Sequence, residues 1–119
     1  MIKKVYHLST CNTCKKIMAQ VPGIEDFEQI DIKVSNITAA DLDKIAAAHG
    51  GFEQVFSRRA MKFRSQGWHE KELTEQDYRR LILEEYTFLK RPVFLIGEDS
   101  YVGNTKKNVA ALVERATKL

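Results

Sequence analysis

Apolar and polar positions divide the chain into short blocks of two periods. The run Ile2-Lys3-Lys4-Val5-Tyr6-His7-Leu8 predicts a strand over 2–8. The next block predicts a helix over 12–20, stopped at Val21-Pro22-Gly23, where proline lacks a donor and glycine permits a turn. Phe27, Gln29-Ile30 and Ile32 then predict a second strand near 26–31. Strand, helix and strand at this length form a βαβ unit with parallel strands and a right-handed crossover.

Thr38 opens the next helix as an N-cap, with Asp41 three residues on in a near-capping-box position. Leu42, Ile45, Ala46 and His49 recur at helical spacing, and Gly50-Gly51 ends the element. His49 reads as a helix-end residue, where positive charge is favoured, rather than a base. Residues 52–69 lose the period. Phe52, Val55, Phe56 and Phe63 read there as core anchors between basic residues, and Trp68 follows Gly67. Thr74 caps another helix, again with Asp77 three residues on; its stripe is Tyr78, Leu81, Ile82 and Tyr86 or Glu85.

The apolar run Val93-Phe94-Leu95-Ile96 predicts a third strand. Gly97-Glu98-Asp99-Ser100 reads as a turn and Tyr101-Val102 as the start of a fourth strand, giving an antiparallel hairpin. Asn104 or Thr105 caps a last helix over 106–117, with Val109, Leu112, Val113 and Ala116 on one face. Pro92 precedes the third strand, one of the few places where a sheet tolerates proline, and its own physics favours a trans bond.

Length and charge narrow the classes. With 119 residues the chain is expected to be one domain over 1–119, with an insertion at roughly 36–90. No apolar run approaches the roughly 18 residues of a membrane span, and Met1-Ile2-Lys3-Lys4 does not open a signal peptide. A cytoplasmic protein without a membrane partner is expected. The net charge of +3 is too small to imply nucleic-acid binding, although Arg58, Arg59, Lys62 and Arg64 cluster. That cluster reads either as a solvated face or as an anion site built from planar guanidinium groups. The aromatic residues around it read as core rather than as a single-strand nucleic-acid platform.

Both cysteines stand in Ser9-Thr10-Cys11-Asn12-Thr13-Cys14-Lys15-Lys16, at the turn from first strand to first helix. Free N–H groups at a helix start stabilise a thiolate, and Lys15 and Lys16 are expected to add positive charge. C-x-x-C beside a βαβ pattern points to a redox pair, with Cys11 as nucleophile and Cys14 as resolving thiol. A zinc site needs about four ligands, and His7, His49 and His69 stand at no ligand spacing. Two unreactive, half-buried cysteines are the plainer reading.

The order β-α-β, helical middle, β-hairpin and helix, with C-x-x-C after the first strand and proline before the third, resembles a thioredoxin-like (glutaredoxin-type) α/β fold. That fold is a four-stranded mixed sheet flanked by helices, with a helical insertion between the second and third strands. More narrowly, the chain resembles the ArsC/Spx family of glutaredoxin-like arsenate reductases and Spx transcriptional regulators. The likeness rests on Cys11 to Lys16, on Val55-Phe56-Ser57-Arg58-Arg59-Ala60-Met61-Lys62-Phe63-Arg64, on Arg91-Pro92-Val93 and on Val102-Gly103.

The resemblance implies that Cys11 is the nucleophile, Pro92 a cis-proline and Arg91 the arginine before it. It implies that Arg59, or Arg58, is the arginine of the middle loop. In such reductases arginines hold an oxyanion while the thiolate attacks arsenic, and glutathione with glutaredoxin releases the product. No bound cofactor is implied, with glutathione as reductant, a small oxyanion or thiol as substrate, and glutaredoxin or thioredoxin as partner. The family's third arginine aligns near Asn104, its first falls near Ser57, and Cys14 is an extra thiol. The pair is closer to Spx, in which it is a redox switch on a protein that docks on RNA polymerase. Against that reading, the last helix ends at Leu119 without the further C-terminal segment such regulators often carry. A third reading keeps the fold with an unknown thiol substrate.

Overall fold

A computed structural model describes residues 1–119. Its strands are β1 (Lys3–His7), β2 (Glu28–Asp31), β3 (Val93–Ile96) and β4 (Asp99–Val102). Its α-helices are α1 (Asn12–Met18), α2 (Ala39–His49), α3 (Met61–Ser65), α4 (Glu75–Glu84) and α5 (Lys106–Thr117). The chain divides into two compact units, Met1–Ser35 with Arg91–Leu119, and Asn36–Lys90. No helix is long and apolar enough to cross a membrane.

The first unit holds one four-stranded mixed sheet in the order β2-β1-β3-β4. β1 and β2 are parallel, with His7 opposite Asp31, as the βαβ reading requires. β1–β3 and β3–β4 are antiparallel. Central β3 is buried along its whole length, so its sequence is a continuous apolar run rather than an alternation. Val5, Phe94 and Ile96 form one core with Ile17, Val21, Phe27, Leu112 and Ala116, so α1 and α5 lie on one face of the sheet. The rings of Phe27 and Phe94 meet edge to face, with centroids 5.6 Å apart.

Several boundaries differ from expectation. α1 stops at Met18 because the chain tightens: Gln20 N–H donates to Ile17 and Val21 N–H to Met18, three residues back. A 3-10 turn at Ile24–Asp26 precedes β2, which therefore starts at Glu28. β4 begins at Asp99, so the hairpin loop is Gly97-Glu98 alone, with Gly97 at φ +58°. Primed two-residue turns need positive φ at the first central position, which glycine supplies. The Arg91–Pro92 bond is cis, against the trans preference of an isolated X–Pro bond. Pro92 is buried, and its carbonyl accepts from Gly103 N–H at 2.9 Å.

In the second unit both threonine caps form. Asp41 N–H donates to Thr38 Oγ1 at 3.1 Å, and Thr74 and Asp77 make a complete capping box. Residues 52–69 carry more structure than the missing period suggests: two 3-10 turns and the short α3. Val55, Phe56 and Phe63 are buried as expected, whereas Phe52 is half-buried. Phe56 is the hub, with ring centroids 4.9 Å from Tyr78, 5.0 Å from Phe88 and 5.7 Å from Phe63. Tyr86 and Glu85 both fall past the end of α4, so its buried stripe is Tyr78, Leu81 and Ile82. Asn36 Nδ2 donates to Ile82 O at 2.8 Å, satisfying a carbonyl that the helix end leaves open.

Candidate active site

β1 delivers the chain to a tight turn. Cys11 N–H donates to Leu8 O at 2.9 Å, and Lys15 N–H donates to Cys11 O at 3.2 Å. Cys11 is thereby the N-cap of α1, extended at φ −90°, ψ 112°, and its sulfur is partly exposed. Burial is the largest single influence on this thiol and pushes its pKa up. Hydrogen bonds from the Cys14 backbone and thiol and from Arg91, together with the Arg91 charge, outweigh it and bring the pKa below its ordinary value. The lowering thus comes from Cys14 and Arg91, whereas Lys15 and Lys16 point into solvent.

Cys14 is fully buried and behaves oppositely. Burial foremost pushes its thiol up to about 11, reinforced by its bond to Cys11 and by the Cys11 charge. Of the pair, Cys11 is the more readily ionised sulfur, and Cys14 is a protonated donor at neutral pH. The two titrations are coupled, so their apparent values belong to the pair.

The carboxylate of Asp31 closes β2 directly across from His7. It accepts Lys33 N–H at 3.1 Å and bonds both the hydroxyl and the amide of Ser9. The Ser9 hydroxyl is the first cause of a carboxyl held below the usual range. Asp31 so ties the end of β2 to the turn that presents Cys11.

Half-buried Arg91, next to Pro92, donates to the Cys11 sulfur. Gly103 answers Pro92 from a φ of +89°, and Asn108 Nδ2 donates to Gly103 O at 2.9 Å. Asn104, where the resemblance expects a third arginine, is exposed and uncharged.

Arg58 and Arg59 lie in the second unit, before α3. Arg58 is committed: it pairs with Glu53 at 2.6 Å and donates to Tyr78 Oη at 2.9 Å. Arg59 stands exposed beside it, and Ser57 uses its amide on Phe88 O at 2.7 Å. Lys62 pairs with Glu85, so two of the four clustered cations already have carboxylates. His69 Nε2 lies 3.7 Å from Glu70, and His49 ends α2. No group of three or more His, Cys, Asp or Glu side chains could hold a metal ion.

The ArsC family model matches residues 6–112. The chain belongs to the ArsC family. Its fold is that of solved arsenate reductases. An arsenate reductase from Vibrio cholerae is 12% identical with a TM-score of 0.74, covering 94% of this chain and 99% of that one. An arsenate reductase (ArsC) related protein from Brucella melitensis is 24% identical with a TM-score of 0.66, covering 93% of each chain. A Staphylococcus aureus protein is 22% identical with a TM-score of 0.71, covering 92% of this chain and 97% of that one. No curated protein sequence matches the chain.

In this ArsC-family site Asp31 is the residue that sequence reasoning missed. The signal was topological. In a βαβ unit the C-terminal ends of both strands point the same way, so an acid closing β2 lies beside the loop that leaves β1.

The opposed shifts give an expected titration. Thiolate absorbance should rise in two steps, the first below the ordinary thiol value and the second near about 11. Arg91→Ala removes a hydrogen bond to the thiolate and a positive charge, so the first step should move to higher pH. An unchanged first step in alkylation rate against pH would place the guanidinium away from the sulfur.

Proposed function

We propose that this ArsC-family protein is a thiol-dependent oxidoreductase of the arsenate-reductase type, with Cys11 as nucleophile. The observation that carries the reading is the partly exposed Cys11 at the start of α1, hydrogen-bonded by Cys14 and by Arg91. A thiolate of this kind attacks an electrophilic centre, here arsenic of an arsenate oxyanion. Arg91 neutralises the charge of the oxyanion at the reacting end. Oxygen leaves arsenic as water as the Cys11–arsenic bond forms. A second thiol then attacks Cys11, and arsenic departs with two electrons as arsenite. The sulfurs are left as a disulfide. Glutathione, renewed through glutaredoxin, is that second thiol, and Cys14 is the internal alternative. No bound cofactor is required, and the protein works in the cytoplasm without a membrane partner.

The test is arsenate-dependent turnover with glutathione and glutaredoxin, run beside a small disulfide as substrate. Turnover of the disulfide alone would move the substrate class from oxyanion to thiol. The absence of both would overturn the enzyme.

One observation favours a second reading, a redox-sensing regulator of the Spx type. The two sulfurs are hydrogen-bonded to each other, so oxidation to a disulfide requires little movement. Pull-down of RNA polymerase subunits with the oxidised and reduced forms separates the two. A complex in one redox state supports the regulator, and none in either state removes it.

A further inference from the structure

The end of β2 at Asp31 is fixed from several sides. Ile32 N–H donates to His7 O on β1 at 2.8 Å, and the Asp31 carbonyl accepts from Val34 at 3.0 Å and from Ser35 at 2.9 Å. The carboxylate accepts Lys33 N–H at 3.1 Å, an Asx-turn that holds the side chain in place. From that platform it also bonds the hydroxyl and the amide of Ser9. His7, directly opposite, is the titratable group that faces it from β1.

Ser9 and Thr10 are the central residues of the turn that Cys11 closes on Leu8 O. Both are exposed, so apolar packing gives the turn little support. The Asp31 carboxylate takes up both polar groups of the first. Two residues on is the sulfur that Cys14 and Arg91 bond. Those bonds form only within a narrow range of distance and angle, so the turn has to be held still.

Charge alone gives Asp31 no use here. A carboxylate near a thiol disfavours the thiolate, so its removal by that route makes the thiol more acidic or leaves it unchanged. An anchor acts with the opposite sign: its removal lets the sulfur drift from its partners and makes the thiol less acidic.

We propose that Asp31 is a positioning residue for Cys11: through Ser9, its carboxylate fixes the Leu8–Cys11 turn and keeps the sulfur on Arg91 and Cys14. The proposal deepens the reading of Cys11 as nucleophile and rests on it.

The experiment follows alkylation of Cys11 by iodoacetamide against pH in wild type, Asp31→Ala and Asp31→Asn, with the label located by mass spectrometry and folding checked by circular dichroism. Asparagine loses the charge, keeps an acceptor oxygen, and gains an N–H that the Ser9 hydroxyl can accept. Asp31→Ala should slow alkylation at neutral pH by about threefold or more and move the profile to higher pH. Asp31→Asn should stay within about twofold of wild type. An alanine profile that is unchanged or moves to lower pH would overturn the proposal, as would an asparagine variant as slow as alanine. Should Asp31→Ala fail to fold, Ser9→Ala removes the hydroxyl half of the tie and should move the profile the same way; no movement overturns the anchor. A wild-type thiol that titrates at the ordinary value is a failure of the nucleophile reading alone. Hydrogen exchange at the Cys11 amide then decides the anchor. Faster exchange in Asp31→Ala, relative to the β3 amides, supports it, and equal exchange overturns it.

Discussion

Cys11→Ser is expected to abolish turnover while leaving the protein folded. A serine hydroxyl stays protonated at neutral pH and is a poor nucleophile toward arsenic or sulfur, so arsenate- or disulfide-dependent rates should fall by about a thousandfold or more. Folding should not suffer. Position 11 is the N-cap of α1, and serine keeps an acceptor there for the Cys14 amide that bonds the native thiol. Serine is among the preferred N-cap residues, so stability should hold or rise by up to about 1 kcal/mol. Steady-state assays with circular dichroism on the same samples check both halves. Residual activity above about a tenth of wild type would mean that another group attacks.

Phe94→Ala should have the largest effect on stability. Phe94 is fully buried on central β3, faces Phe27 edge to face, and belongs to the core shared with α1 and α5. Removing the ring leaves a cavity among Val5, Ile17 and Leu112, with a cost of about 3–5 kcal/mol. Urea unfolding measures this directly, and a loss under about 1 kcal/mol would show that the core collapses around the gap. The same core supports α1, so the pH profile of Cys11 alkylation should revert to that of a free thiol at denaturant concentrations that leave wild type intact.

Elements with strong local chemistry were legible from the sequence. β3 announced itself as an unbroken apolar run, and the two Thr-x-x-Asp caps marked the starts of α2 and α4. The N-cap place of Cys11 followed from a cysteine standing where strand turns to helix. Features fixed by distant residues were not legible. The Asp31–Ser9 tie and the pairing of Arg58 with Glu53 and Tyr78 depend on partners 5 to 22 residues away, brought close only by the fold; the cis Arg91–Pro92 bond was implied by the family resemblance, although the residue's own physics favours trans. The hairpin loop was read too long because Asp99 and Ser100 are turn-formers by composition. Their pairing with Ile96 and Leu95 overrides that preference. Lys15 and Lys16 show the opposite error: charge close in sequence to the thiol was counted, although the helix turns it outward.

The sheet's outermost strands have their own consequence. β2 presents Glu28 and Gln29 to water, and β4 begins with exposed Asp99. An added strand on either flank would have to desolvate those groups, which disfavours the stacking of chains edge to edge. Concentrated protein should therefore resist forming fibrils, even though β3 between them is as oily as any amyloid-forming segment.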